Sequence, residues 1–274
     1  MLVQTKNEEV GIAACIRGLK DFDEVIVVDS MSDDRTAQIA RELGATVVEF
    51  EWNGEYPKKK QWQIENARTR HDWVLFMDAD ETPTPELVHE LRRVFSDGSE
   101  HLDAAAFDID LDYVFAGRTL RHGHRVTKRC LIDRKRVTFP VVDDIGIPGM
   151  GELEGHYQPK ANGPVRRVSG RILHNDLDPV GTWFARHNKY SDWEAHLRAR
   201  GSTKVAVRGL RTQKGRVFDA VPFKPLVFFI YAYVLRGGFL DGRAGLDYAV
   251  ALSTYYWQID LKSRELARVQ GTPT

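Results

Sequence analysis

The run Trp73-Val74-Leu75-Phe76-Met77-Asp78-Ala79-Asp80-Glu81 decides how this chain folds. Its five leading apolar residues are typical of a strand that is buried on both faces of a parallel sheet. The strand ends at two aspartates, Asp78 and Asp80. Because ligands bind outside the carboxyl ends of the strands in such sheets, these two carboxylates are candidate site residues.

Similar apolar runs precede this strand and alternate with segments of helical spacing. Strands are predicted at residues 2–5, 24–29 and 46–50, and helices at residues 8–19, 33–43, 58–70 and 86–95. Alternating strands and helices predict an α/β fold with a mostly parallel, Rossmann-like sheet flanked by helices. The sequence contains neither G-x-G-x-x-G after the first strand nor G-x-x-x-x-G-K-[ST]. This argues against a dinucleotide-dependent dehydrogenase and a P-loop NTPase.

Composition excludes several other classes of protein. The chain has 274 residues, of which 42% are hydrophobic and 28% are charged, so it is globular rather than disordered. Two cysteines, Cys15 and Cys130, are too few for a disulfide scaffold or a four-cysteine zinc site. The first residues lack the apolar core of a secretory signal, and we therefore expect a cytoplasmic protein.

The formal net charge of zero is the sum of unequal parts. Residues 1–110 carry 12 basic and 24 acidic residues, a net charge of −12. Residues 160–216 carry 13 basic and 4 acidic residues, a net charge of +9. An acidic first part can hold a metal ion, and a basic later part favours phosphates or an anionic surface as a partner.

The D-x-D sequence at Asp78 and Asp80 is the strongest chemical motif. Carboxylates are the ligands that Mg²⁺ and Mn²⁺ prefer, and these ions usually also bind substrate phosphates. A metal ion here could neutralise a diphosphate as it leaves. The alternative is a turn in which the acidic residues only cap the following helix.

Three segments together resemble a family 2 glycosyltransferase of the GT-A fold. They are residues 5–9 (TKNEE), 27–36 (VVDSMSDDRT) and 77–81 (MDADE), and the resemblance covers residues 1–115. Residues 59–64 (KKQWQI) are similar to the branch that includes bacterial lipopolysaccharide-core β-glucosyltransferases. The resemblance implies a nucleotide-sugar donor, with a UDP-sugar as the expected one, and Mg²⁺ or Mn²⁺ as cofactor.

The resemblance also implies roles for individual residues. The nucleotide-sugar would be bound by Thr5, Asn7, Glu8, Asp29, Lys60 and Asp78. Asp29 would accept hydrogen bonds from a pyrimidine base or ribose, and Lys60 would lie near the diphosphate. Asp80 would be the main metal ligand, and His174 would reach the metal or the diphosphate. Alternatively, Asp29 caps the next helix, residues 58–60 form a solvated helix face, and His174 is structural.

An inverting transferase needs a carboxylate that takes the proton from the acceptor hydroxyl. The Gly- and Pro-rich segment 140–157 contains four acidic residues and predicts a shaped loop over the sheet. Glu152 or Glu154 is the preferred candidate for this catalytic base, and Asp143 and Asp144 are the second choice. The alternative for each is an acidic residue on a surface loop.

The C-terminal part combines basic and apolar segments. Residues 183–195 predict a helix, and residues 198–216 contain seven basic and no acidic residues. The uncharged run 225–235 has 11 residues, too few for the roughly 20 of a spanning helix. It is therefore either a core helix or an interfacial one. We expect residues 198–240 to attach the protein to an anionic membrane surface, and no nucleic-acid partner.

These observations predict two regions. Residues 1–180 form the GT-A catalytic domain, with a nucleotide-binding half at 1–115 and an acceptor half at 116–180. Residues 181–274 form a basic, helical extension. The expected activity is inverting transfer of a sugar to a hydroxyl of a lipid-linked or lipopolysaccharide-type glycan, on the inner face of the cytoplasmic membrane. The alternatives are a polyprenyl-phosphate sugar synthase and a non-catalytic membrane-binding module.

Overall fold

A computed structural model of the chain describes residues 1–98, 102–141, 151–152, 158–199, 218 and 221–269. The predicted alternation of strands and helices in the first part is confirmed. Its elements are β1 (Leu2–Thr5), α1 (Ile12–Gly18), β2 (Ile26–Asp29), α2 (Thr36–Glu42), β3 (Thr46–Glu49), α3 (Lys59–Asn66), β4 (Trp73–Asp78), β5 (Glu81–Pro83) and α4 (Pro85–Val94).

The second part adds long strands and then helices. The strands are β6 (Ala106–Phe115), β7 (Arg118–Thr119), β8 (Thr127–Asp133), β9 (Val137–Thr138), β10 (Lys160–Ala161) and β11 (Val165–His174). The helices are α5 (Val180–Ala199), α6 (Lys224–Phe229), a π-helix (Ile230–Leu235), a 3₁₀-helix (Gly238–Asp241) and α7 (Gly242–Val269).

One large sheet carries the site, with the strand order β3-β2-β1-β4-β8-β6-β11-β5. The first four strands are parallel, which confirms the prediction for this half of the sheet. From β8 onwards the sheet is mixed, because β8 is antiparallel to both β4 and β6, whereas β11 is parallel to β6. The polar ends of β1, β2 and β4 therefore meet at one edge, close to the end of β11.

The main core lies on both faces of this sheet. All four residues of β2 are buried, as its continuous β-branched run predicts. Helix α4 begins where expected, because the Thr84 side chain accepts a hydrogen bond from the backbone N–H of Leu87 and Pro85 occupies the first turn. Where α4 crosses β11, a Cβ atom on Gly170 would lie 2.3 Å from the Cα of Leu87. Only glycine lets these two elements approach so closely.

Helices α5, α6 and α7 pack beside the sheet. The helix predicted at 183–195 is confirmed as the longer α5, and Arg198 of α5 donates a hydrogen bond of 2.9 Å to Asp260 of α7. The run 225–235 is helical; Phe228 and Ala232 are buried, while other side chains of the run are exposed. Among the described residues, no helix is both long and apolar enough to cross a membrane.

Candidate active site

The loops after β1 and β2 are joined by side-chain hydrogen bonds. Asp29 is buried and accepts hydrogen bonds from Thr5 Oγ1 (2.9 Å) and from the backbone N–H of Ser32 (2.8 Å). Asn7, at φ +56°, accepts one through Oδ1 from the backbone N–H of Asp33. Three of the predicted nucleotide-binding residues therefore form one rigid framework. Asp29 is already engaged in this framework, although carboxylate oxygens can accept further hydrogen bonds.

Lys59 anchors the start of α3 beneath this framework. Its side chain is nearly fully buried and donates hydrogen bonds to the Thr5 carbonyl (2.9 Å) and to Ser30 Oγ (2.5 Å). Burial lowers the pKa of Lys59, and the carboxylates around it oppose that shift. The sequence prediction chose Lys60 from the lysine run and missed Lys59. Lys60 is the third of these lysines, and its charge acts on Asp78.

Glu152 reaches the same edge of the sheet. Its Oε1 accepts a hydrogen bond from Ser30 Oγ (2.8 Å) and lies 3.8 Å from Lys59 Nζ. Its backbone carbonyl also accepts a hydrogen bond from the N–H of Lys59 (3.0 Å). The structure thus brings one preferred base candidate to the end of β2. The other base candidates, Glu154, Asp143 and Asp144, lie outside the described residues.

Asp78 is held by a lysine that the sequence prediction missed. Lys128, from β8, donates a hydrogen bond of 2.5 Å to Asp78 Oδ2 and another to Oε1 of Glu81. Burial alone would raise the pKa of Asp78, but Lys128 and Lys60 outweigh it and hold that pKa well below its usual range. Gln4 completes the set by donating to Asp78 Oδ1 (3.2 Å). Asp78 therefore stays ionised.

Asp80 has the opposite environment. Its Oδ1 lies 3.4 Å from Nδ1 of His174 at the end of β11. Burial raises the pKa of Asp80 to about 6. The charge of His174 opposes this rise, and the charges of Asp78 and Glu81 add to it. Burial lowers the pKa of His174, but the carboxylates of Glu81 and Asp80 outweigh it and raise that pKa above its usual value. The two predicted metal ligands are thus brought together.

This pair fits a divalent metal ion. Asp80 Oδ1 and His174 Nδ1 are both shielded from solvent. Their contacts among the described residues are ion pairs, with each other (3.4 Å) and, for His174, with Glu81 (3.5 Å), rather than hydrogen bonds of regular geometry. Buried polar atoms without hydrogen bonds are rare, so each such atom needs an explanation. Within the described part of the chain, no group of three or more His, Cys, Asp or Glu side chains could hold a metal ion. A pair of ligands suits Mg²⁺ or Mn²⁺, because such ions keep waters and bind substrate phosphates.

Helix α5 lies beside the site, near Glu8. Arg186 of α5 forms ion pairs with Asp176 and with Asp178 (3.0 Å) in the turn after β11. Burial, together with the charges of Asp80, Asp178 and Asp176, raises the pKa of Glu8 to about 7. The sequence prediction included Glu8 as a nucleotide-binding residue, and the charge of Arg186 opposes the rise of its pKa.

Comparisons with known proteins agree with this arrangement. The sequence profile described as "Glycosyl transferase family 2" matches residues 1–149, more than half of the chain. An uncharacterized glycosyltransferase of Rickettsia prowazekii is 40% identical over 243 residues, which cover 86% of this chain and 79% of that protein. An uncharacterized glycosyltransferase of Rickettsia typhi is 43% identical over 93 residues, which cover 34% of this chain and only 31% of that protein.

The chain also matches a solved structure at low sequence identity. It is glucosyl-3-phosphoglycerate synthase from Mycobacterium tuberculosis in complex with Mn²⁺, UDP and glucosyl-3-phosphoglycerate. Its sequence identity is 19% and its TM-score is 0.41, with 77% of this chain and 80% of that chain covered. The family assignment itself rests on the sequence profile and on the relative from Rickettsia prowazekii. On that evidence, this chain belongs to glycosyl transferase family 2.

Proposed function

We propose that this glycosyltransferase moves a sugar, with inversion, from a UDP-sugar to a hydroxyl of a lipid-linked or lipopolysaccharide-type glycan. The observation that carries the proposal is the buried pair Asp80 Oδ1 and His174 Nδ1, which lie 3.4 Å apart without a hydrogen bond at the edge where the strands end. Ligands bind at this edge in open α/β sheets.

The donor would lie across the ends of β1, β2 and β4. Its nucleotide would contact Thr5, Asn7, Glu8, Asp29 and Asp78, with Lys60 beside the diphosphate. Asp80 and His174 would hold Mg²⁺ or Mn²⁺, which supplies positive charge against the leaving diphosphate. Lys128 keeps Asp78 ionised and fixed, so that the ribose side of the pocket has a defined acceptor.

The transfer step needs a base on the acceptor side. Glu152 or Glu154 would take the proton from the acceptor hydroxyl while its oxygen forms a bond to the anomeric carbon and the bond to the diphosphate breaks. Glu152 lies beside Ser30 at the end of β2, on the edge of the sheet where the donor would bind. Replacing each glutamate by Gln distinguishes the two candidates. The variant that lacks the catalytic base should lose most of its kcat, and the other variant should keep it.

The acceptor proposal also places the protein at the cytoplasmic face of a membrane. It is supported by the resemblance of residues 59–64 to lipopolysaccharide-core transferases and by the basic and apolar composition of the C-terminal part. A polyprenyl phosphate acceptor would need no strong base. In that case both Gln variants would keep full activity, and the hydroxyl-acceptor proposal would be wrong.

Thermal unfolding with UDP and Mn²⁺ tests the donor site. A ligand at a hundred times its Kd stabilises the native state by about 2.7 kcal/mol, so the unfolding temperature should rise. Asp80→Asn should remove the Mn²⁺-dependent part of this rise and the transferase activity. Asp103→Asn, at a side chain that is 76% exposed, is the matched control and should keep both. Full activity of the Asp80 variant, or no response of the wild type to UDP with Mn²⁺, would overturn the proposal.

A further inference from the structure

Exposed large apolar side chains are concentrated on one helical segment after residue 222. Those of Phe223, Leu226, Ile230 and Val234 follow one another at helical spacing and are 80%, 59%, 42% and 52% exposed. Leu235 and Leu240, 73% and 60% exposed, continue the exposed surface. We call these six residues the apolar face. A soluble protein rarely leaves so much contiguous apolar surface in water unless that surface binds something.

A groove adjoins the apolar face between α6 and α7. It has a volume of about 260 Å³ and is lined mainly by apolar side chains, among them Phe229, Val250 and Trp257. Trp257 is 50% exposed. The groove is also lined by Ser253 and Thr254, whose hydroxyls both donate to backbone carbonyls of their own helix (2.7 and 2.9 Å). An apolar groove with its hydroxyls turned to the helix suits a hydrocarbon chain better than a polar ligand.

Basic side chains flank the apolar face. Arg236 lies at the end of the face that Leu235 and Leu240 form. The backbone N–H of Gly123 donates a hydrogen bond of 2.9 Å to the Arg236 carbonyl, which brings the loop that carries the exposed Arg121 to the same end. The nearby acid Asp241 is already bound to His122 (3.0 Å). The surroundings are therefore cationic, and they suit an anionic partner.

We propose that the apolar face docks on the surface of an anionic lipid bilayer. The helices lie in the plane of the membrane, the apolar face enters the boundary between head groups and acyl chains, and the groove at Trp257 takes part of one acyl chain. The flanking basic residues contact the anionic head groups. This inference rests on the membrane location proposed above, and it is independent of the donor chemistry.

A second copy of the chain is a poorer occupant. In a two-fold dimer the same patch faces itself, so two surfaces that carry the same positive charges would be brought together. A bilayer that contains phosphatidylglycerol offers negative charge to the same groups. The charges at the rim thus favour a lipid surface over self-association.

Sedimentation of the intact protein with lipid vesicles tests the proposal. Wild type should bind vesicles that contain phosphatidylglycerol, bind pure phosphatidylcholine vesicles far less, and be released by salt. The double substitution Leu226→Ser with Val234→Ser should weaken binding about tenfold or more, since each exposed side chain loses several methyl and methylene groups. Val10→Ser, at an apolar residue that is 71% exposed on the loop before α1, is the matched control and should bind as wild type does.

Fluorescence adds a readout for the groove. Brominated phospholipids should quench the tryptophan emission of wild type, and Trp257→Phe should lose most of that quenching while it still binds vesicles. Asp80→Asn should bind vesicles normally, which separates a failure of this proposal from a failure of the donor site. The proposal is overturned if wild type does not bind anionic vesicles at low salt, or if the double variant binds like the control. It is also overturned if the double variant instead abolishes a dimer of the wild type, or lowers its unfolding temperature, which would mean that another part of the chain packs on the face.

Discussion

Replacing Lys128 by Met should destabilise the protein more than any change to an exposed lysine. The Lys128 ammonium bonds both Asp78 and Glu81. Glu81 is fully buried, and its other oxygen accepts a hydrogen bond from the backbone N–H of Asp78 (3.0 Å). Methionine fills a similar volume but removes the closest cation from the Glu81 carboxylate and leaves it His174, whose Nδ1 lies 3.5 Å from Oε1.

The magnitude follows from how much of this group is shielded from water. Removing one partner of a fully buried ion pair costs about 3–5 kcal/mol, because the other charge remains buried. The Asp78 side chain is 41% exposed and Lys128 is 26% exposed, so water screens the Asp78 half of the interaction. Glu81 therefore decides the cost, and we expect a loss of about 2–4 kcal/mol. For a chain of this size, that lowers the unfolding temperature by about 5–15 °C.

Urea and thermal unfolding of Lys128→Met, beside Lys135→Met, measure this effect. Lys135 also forms an ion pair, 2.7 Å from Asp72, but its side chain is 67% exposed. An exposed pair contributes little, so the Lys135 variant should unfold almost as wild type does. Adding Glu81→Gln to Lys128→Met should recover part of the loss, because it removes the uncompensated charge. Equal stability of the two lysine variants would refute the reasoning.

Two further predictions concern packing and pH. Gly170→Ala should destabilise the protein by about 1–3 kcal/mol, because the new Cβ would meet the backbone of Leu87. Gly181→Ala is the control and should change stability little, because no atom lies within 4 Å of the Cβ it would add. Equal losses of stability in urea unfolding would contradict this prediction. Burial, followed by the charge of Arg236, lowers the pKa of His124 to about 4, below its reference value of 6.5. The unfolded chain thus takes up a proton first, and stability is lost as pH falls from 6.5 to 4, by up to about 3 kcal/mol. His124→Phe should lose less stability than wild type between pH 7 and 4.5 in thermal unfolding; an unchanged pH dependence would count against it.

The first half of the sheet could be predicted from sequence because its strands are continuous apolar runs. Strand β1 was predicted with its observed bounds, Leu2–Thr5. Strand β6 was not predicted, although Phe107, Ile109 and Leu111 alternate with acidic residues and are buried. That period of two is typical of a strand with one exposed face. Strand β5 has only three residues and exists through pairing with β11, which no local pattern shows.

The site residues could be predicted from sequence only where they belong to a recognisable motif. Asp78 and Asp80 share one strand end, and the resemblance added His174 from β11. Lys128 could not be found in this way, because it comes from β8, and its approach to Asp78 depends on the sheet order β1-β4-β8. The pairing of β8 with β4 places Lys128 next to Asp78, although the two residues are 50 positions apart in the sequence.

The arrangement around Asp78 and Asp80 assigns different roles to two identical side chains. Asp78 is ionised but already neutralised by Lys128, so a cation gains little by approaching it. Asp80 forms an ion pair with His174 (3.4 Å), but burial still raises its pKa to about 6 against that charge, so its anionic form has too little positive charge around it. A divalent ion would supply that charge. The environment, rather than the spacing of the motif, therefore favours Asp80 as the metal ligand and leaves Asp78 to the nucleotide.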